Sequence, residues 1–191
     1  MELSSVIIIA IVLVILGYLI VIYNNLVSLK HNVSKSRANI DVLLKQRHDE
    51  LPKLVASCKQ YMQHERQTLE DVITARNSVK AAQDSNDITS LGKAESSLRS
   101  SLGKLFALAE GYPELKADSS FVQLQQRISH LEETIADRRE LYNDSVNLNN
   151  ARIEQFPDVL VARSFKFRDF DLLEFSDVEI TDVNIDKMFN T

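Results

Sequence analysis

Four histidines and one cysteine are the residues of this chain best suited to reactive chemistry, and their spacing does not assemble a site. His64-Glu65 opens like a zinc-protease helix, but Thr68 stands where the second histidine must lie one turn on. His31, His48, His64 and His130 lack ligand spacing, and the Glu-x-x-His pair that gathers ions in di-metal bundles does not occur. Nor does a glycine-rich phosphate loop or a Gly-x-Ser-x-Gly turn. Cys58 is single, so no intramolecular disulfide can form and nothing calls for an oxidising compartment. It lies on an apolar helical stripe, where a buried small hydrophobe is the simpler reading than a reactive thiol. The expectation is a chain with no catalytic residue, no metal site and no cofactor, and therefore not an enzyme.

A second group of polar residues sits where helical spacing asks for hydrophobes: Arg37, Glu65, Arg76, Arg138 and Asn149. They could form a binding or switch centre. The favoured reading is a buried or half-buried ion-pair network that fixes helix register. Tyr142-Asn143 and Tyr23-Asn24 are read in the same way, as packing and hydrogen bonding.

The elements that would position these residues begin with Leu3 to Tyr23, twenty-one positions without a charge. At about 1.5 Å per helical residue the run reaches roughly 31 Å, the thickness of a bilayer's hydrocarbon core. It lacks a basic n-region before it and a small-residue cleavage site after it, so it reads as a retained anchor rather than a signal peptide. Lys30, Lys35 and Arg37 follow it while Glu2 precedes it. The positive-inside bias then places a short N-terminus outside and the C-terminal domain in the cytoplasm. Tyr18 and Tyr23 fit interfacial belt positions.

Past the anchor, the chain has room for one domain with a real core. Four glycines and three prolines in 191 residues are too few to punctuate a sheet but suit long helices. One helix is expected from about residue 4 to 48, with Leu26, Leu29, Val33, Ile40, Leu43 and Leu44 on one stripe and Arg37 and Arg47 on or beside it. A break is expected at 48–52, with Asp49 capping a second helix that has Pro52 in its first turn. That helix should end at Asp84-Ser85-Asn86-Asp87. A third should end at Gly111-Tyr112-Pro113. A fourth should be capped by Ser120 with Gln123 and closed by Pro157. Short loops between long helices predict an all-α fold, an antiparallel four-helix bundle over 24–157 following the anchor at 1–23.

Residues 158–191 form an acidic, Phe-containing C-terminal tail. Five of the eight phenylalanines lie there, and residues 169–191 carry seven acids against Lys187. The rest of the chain is near neutral, which gives no basis for a nucleic-acid partner. A merely solvated tail has no use for phenylalanines, so Phe165, Phe167, Phe170 and Phe175, with Asp169, Asp171 and Glu174, are the candidate interaction residues. The segment would dock on the helices or on a neighbouring subunit, with disorder the other reading. Val178–Ile180 and Val183–Ile185 alternate as strands do and could add to a partner's sheet. Because the tail carries no bundle stripe, deleting 169–191 is expected to leave melting nearly unchanged.

The chain resembles the LemA family of membrane proteins. The residues that carry the likeness include Tyr23-Asn24-x-Leu26-Val27, the block Ala38-x-Ile40-Asp41-Val42-x-Leu44-Lys45-x-Arg47-His48-Asp49 with Pro52, and Tyr61-x-x-His64-Glu65. They continue with Val72-x-x-Ala75-Arg76, Glu110-x-Tyr112-Pro113-Glu114-Leu115-Lys116-Ala117, Tyr142-Asn143 and Phe156-Pro157. The likeness runs to about residue 170 and leaves the acidic extension uncovered. It implies an N-terminal anchor in the bacterial inner membrane, a helical bundle, and no established activity or cofactor. The expected function is a single-pass scaffold for self-assembly or protein–protein interaction, with the lipid bilayer, further copies of the chain and a second membrane protein as partners. The alternative is a regulatory adaptor of a membrane protease or another envelope-stress enzyme.

Overall fold

The computed structural model describes residues 3–174. Regular structure among them is entirely helical: α1 Leu3–Tyr61, α2 Arg66–Asp84, α3 Ile88–Ala109, α4 Pro113–Ala117, α5 Ser119–Glu154 and α6 Asp158–Ser164. The chain divides into two compact units, and α1 and α5 contribute to both. The first unit holds α1 as far as Ile40, together with Arg138–Leu172. The second holds Asp41–Asp137 and resumes at Leu173.

In the first unit the N-terminal stretch of α1 leaves its Ile, Val and Leu side chains uncovered from Leu3 to Val21. Among the described residues, α1 is the helix long and apolar enough to cross a membrane. Burial starts at its end, where Ile22 and Leu26 pack with Val161 and Ala162 of α6, flanked by Ile153 and Phe167.

In the second unit α1 does not stop at Pro52. It continues to Tyr61, and the break comes at residues 62–65 instead. Proline inside a helix removes one donor and strands the carbonyl four residues back. Here that carbonyl belongs to His48, and it accepts from Arg76 Nε at 2.9 Å. A side chain from α2 thus supplies the missing hydrogen bond, and the helix that was expected to start at Asp49 is divided between α1 and α2. Leu51, Leu54 and Cys58 of α1 are fully buried beyond the expected break, which agrees with the apolar helical stripe expected at Cys58.

The other boundaries follow local chemistry. α2 buries Leu69, Val72, Ala75, Val79 and Ala82 at three- and four-residue steps and packs against α3. It ends where expected, with Asn86 in the left-handed region at φ 55° and Asp87 N–H returning to the Ala82 carbonyl. Asp87 then caps α3, accepting from Ser90 N–H at 3.0 Å. α3 buries Leu91, Leu98, Leu102 and Leu105, each worth about 1.5–3 kcal/mol of apolar transfer. It ends at Ala109 through a tight turn, Gly111 N–H to Leu108 O and Tyr112 N–H to Ala109 O. The cap of α5 is Asp118 rather than Ser120. Its carboxylate accepts from the backbone N–H groups of Ser120 and Phe121 at 2.7 and 3.3 Å, and these bonds hold its pKa below the usual carboxylate value.

Candidate interaction surface and its charge network

The tail candidates begin where α6 ends. Phe165 stays 61% exposed, yet its ring lies 4.8 Å from that of Tyr23, and Phe167 meets the same tyrosine edge-on at 5.9 Å. Beyond Phe167 the chain has no regular structure, and α5 holds it by its backbone. Asn150 brackets Phe170 from both sides, its Oδ1 accepting from Phe170 N–H at 3.0 Å and its Nδ2 donating to Phe170 O at 2.9 Å. Such a side-chain amide does for one residue what a neighbouring strand would do. Asn149 Nδ2 reaches the Arg168 carbonyl at 3.5 Å, and Tyr142 donates to the Asp171 carbonyl at 2.9 Å. Because every one of these contacts is to main chain, Asp169 and Asp171 keep their carboxylates exposed.

Within the second unit, Leu173 is 1% exposed and the Glu174 backbone lies directly on Gly92 of α3. A Cβ at position 92 would overlap the Glu174 carbonyl oxygen. Glycine is required there for close approach, not for an unusual φ. Residues 167–174 are therefore packed structure, and excising from 169 would strip Tyr142, Asn150 and Gly92 of their contacts. The expectation that such a deletion leaves melting unchanged is corrected accordingly. Phe175, Phe189 and the strand-like runs after 177 lie outside the described residues.

The polar residues on the apolar stripes have varied placements. Arg76 serves the His48 carbonyl, Glu65 accepts from Tyr112 OH at 3.3 Å, and Asn149 is buried against the tail. Arg37 is half-buried, its charge acting on the phenol of Tyr142, while Arg138 is exposed. The largest buried charge cluster lies elsewhere. Arg47 is 0% exposed, with one guanidinium nitrogen 2.5 Å from Glu95 and the other 2.6 Å from Glu132. Arg99 approaches the second oxygen of Glu132 at 3.5 Å. Burial lowers the Arg47 pKa, but Glu95 and Glu132 more than offset it and leave it raised above its ordinary value. Burial pushes the Glu95 carboxyl above its ordinary value against the pull of Arg47. The sequence signal was present, since Glu95 sits four residues after Leu91 and three before Leu98, on the α3 stripe.

Burial pushes the Cys58 thiol up to about 11. Burial, reinforced by Arg76, lowers the pKa of His48. Among the described residues no group of three His, Cys, Asp or Glu side chains is placed to hold a metal ion.

Residues 36–186 match the LemA family. The chain belongs to the LemA family. The match extends past residue 170 into the acidic segment that the sequence reading had left uncovered. The chain is also similar to a protein named Protein LemA from Metamycoplasma hominis, 26% identical over 167 residues, covering 87% of this chain and 75% of the relative. Arg47, Arg76 and Tyr142 all lie inside the family match.

Proposed function

We propose that this LemA-family chain is a single-pass, membrane-anchored helical scaffold that acts by binding other proteins or copies of itself, without catalysis. The observation that carries this reading is the continuity of α1. One helix of 59 residues passes from an uncovered apolar stretch into the packed helical body with no linker between them. A helix that leaves the apolar stretch without a linker starts the packed body at the membrane surface, which suits presentation more than reach. In the second unit, the mutual pairing of the buried charges of Arg47, Glu95 and Glu132 also favours architecture over a reactive centre.

Within that reading the helical body is an antiparallel bundle. Its support is the register of α1 against α2, where His48 pairs with Arg76 and Asp41 with Gln83. The register of α1 against α5 descends in the same way, Arg47 to Glu132 and Glu50 to Arg127. The cations after the span orient the C-terminal body to the cytoplasm, in the inner membrane. The exposed acids Asp169 and Asp171, displayed by a backbone that is itself held, are the partner-facing groups.

Reporter fusions and carbonate extraction test the anchor and its orientation. A reporter at Thr191 should be active only as a cytoplasmic fusion, and the chain should stay with the membrane fraction. A periplasmically active fusion, or release by carbonate, would overturn the reading.

A further inference from the structure

α6 and the turns that flank it form an exposed apolar corner, and its depth relative to α1 can be read directly. Val161 and Ala162 pack on Ile22 and Leu26, and the Phe165 ring lies 4.8 Å from Tyr23. Tyr23 ends the uncharged run of α1. Side chains touching it lie within a few Å of the same height, because Leu26 is less than one further turn, about 4.5 Å, along the axis. If Tyr23 marks the membrane interface, α6 lies at the interface too.

We infer that the corner from Phe156 to Phe165 is a second membrane contact, lying in the headgroup boundary beside the point where α1 leaves the bilayer. This rests on the reading of α1 as a span. Phe156 is 80%, Leu160 57% and Phe165 61% exposed, three large apolar groups within ten residues. Exposed apolar surface of this kind marks a contact, and at Phe165, whose ring lies against Tyr23, it meets the uncovered apolar stretch of α1. The charges suit the same occupant. Asp158, the acid of α6, is 2% exposed and bound to Arg152 at 2.9 Å. Arg163 and Lys166 are exposed, at the height where lipid phosphates lie. The functional consequence is orientation: a helix with one interfacial foot cannot rotate freely about its own axis, so the membrane-proximal unit keeps one face toward the bilayer.

The test uses the full chain in vesicles of phosphatidylethanolamine and phosphatidylglycerol, with an environment-sensitive fluorophore at a single introduced cysteine: Leu13→Cys, Leu160→Cys or, as the solvent reference, Lys104→Cys. Cys58 is buried and stays unlabelled. Nitroxide lipids labelled at the headgroup or deep in the acyl chain report depth. The Leu13 label should be quenched most by the deep probe. The Leu160 label should be quenched several-fold more than the Lys104 label, and most by the shallow probe. Quenching at Leu13 with none at Leu160 would overturn the interfacial foot and leave the span intact. No quenching at either would overturn the span and the foot together. Disulfide-linked dimers through Leu160→Cys without quenching would overturn the foot and assign the face to a second copy of the chain.

Discussion

Arg76 donates from Nε to the main-chain carbonyl of His48, 2.9 Å away, and so occupies the acceptor that Pro52 leaves without its helical partner. The pairing explains how α1 remains one helix through a proline, and it makes the two positions energetically dependent. Arg76→Met should cost about 1–3 kcal/mol, since it strands a carbonyl served by a charged donor. In a Pro52→Ala background the same substitution should cost less, because the alanine N–H restores the helical bond. A double-mutant cycle on denaturant midpoints should yield a coupling of about 0.5–3 kcal/mol. Additive effects would show that the two positions act separately.

The Arg47 cluster predicts an asymmetry between removing one charge and removing them all. Arg47→Met leaves Glu95 buried beside Glu132 without a counter-ion and should destabilise by about 3–5 kcal/mol. Adding Glu95→Leu and Glu132→Leu should recover most of that loss. The single variant should also melt higher at about pH 5 than at pH 7, because a buried Glu95 without Arg47 gains stability by taking up a proton as its raised pKa is crossed. Equal melting at both values would show that Glu95 is solvated in the variant.

His48 gives the wild-type chain an acid limb. Burial, then the charge of Arg76, then that of Lys80 and more weakly Arg47, hold its pKa down against the opposing pull of Asp49. The folded state therefore binds a proton less readily than the unfolded chain. Its contribution is complete above about pH 6.5, the unfolded value, and is lost as pH falls from there through the folded value. Melting curves over that window should show a steeper acid loss for wild type than for His48→Gln. Parallel curves would contradict the assignment.

Gly92→Ala should loosen the tail rather than the helix. Alanine in a helix interior is favoured over glycine by about 1 kcal/mol, but here its Cβ would overlap the Glu174 carbonyl, a backbone group that cannot swing aside. Amide exchange should rise over 171–174 while α3 stays protected. Unchanged protection at Leu173 would mean that the tail shifts without releasing.

Much of the fold was legible in the sequence because it follows from local periodicity. The apolar run of α1, the α3 stripe from Leu91 to Leu105 and the turn at 84–87 all follow from residues within one or two turns of each other. The features that were not legible depend on distant partners. The proline rule put a break at 48–52 that does not occur, because it could not anticipate a donor twenty-four positions away at Arg76. Nothing around Gly92 in the sequence shows that the Glu174 backbone lies on it. The cap of α5 moved from Ser120 to Asp118 because a charged acceptor two residues earlier takes the N–H groups of Ser120 and Phe121 and starts the helix sooner. The Phe-rich segment was recognisable as something other than linker, but its attachment is by Asn149, Asn150 and Tyr142 to main-chain atoms, and main-chain acceptors leave no mark in a sequence.

The central claim is that an anchored helical body works by association, and mass measures association directly. Full-length protein carried from its native membrane in lipid discs, with and without residues 175–191, should be weighed and its companions identified. A discrete multimer, or one stoichiometric partner kept by the truncated chain because Asp169 and Asp171 remain, is the predicted result. A lone monomer with no companion at native abundance would contradict the claim.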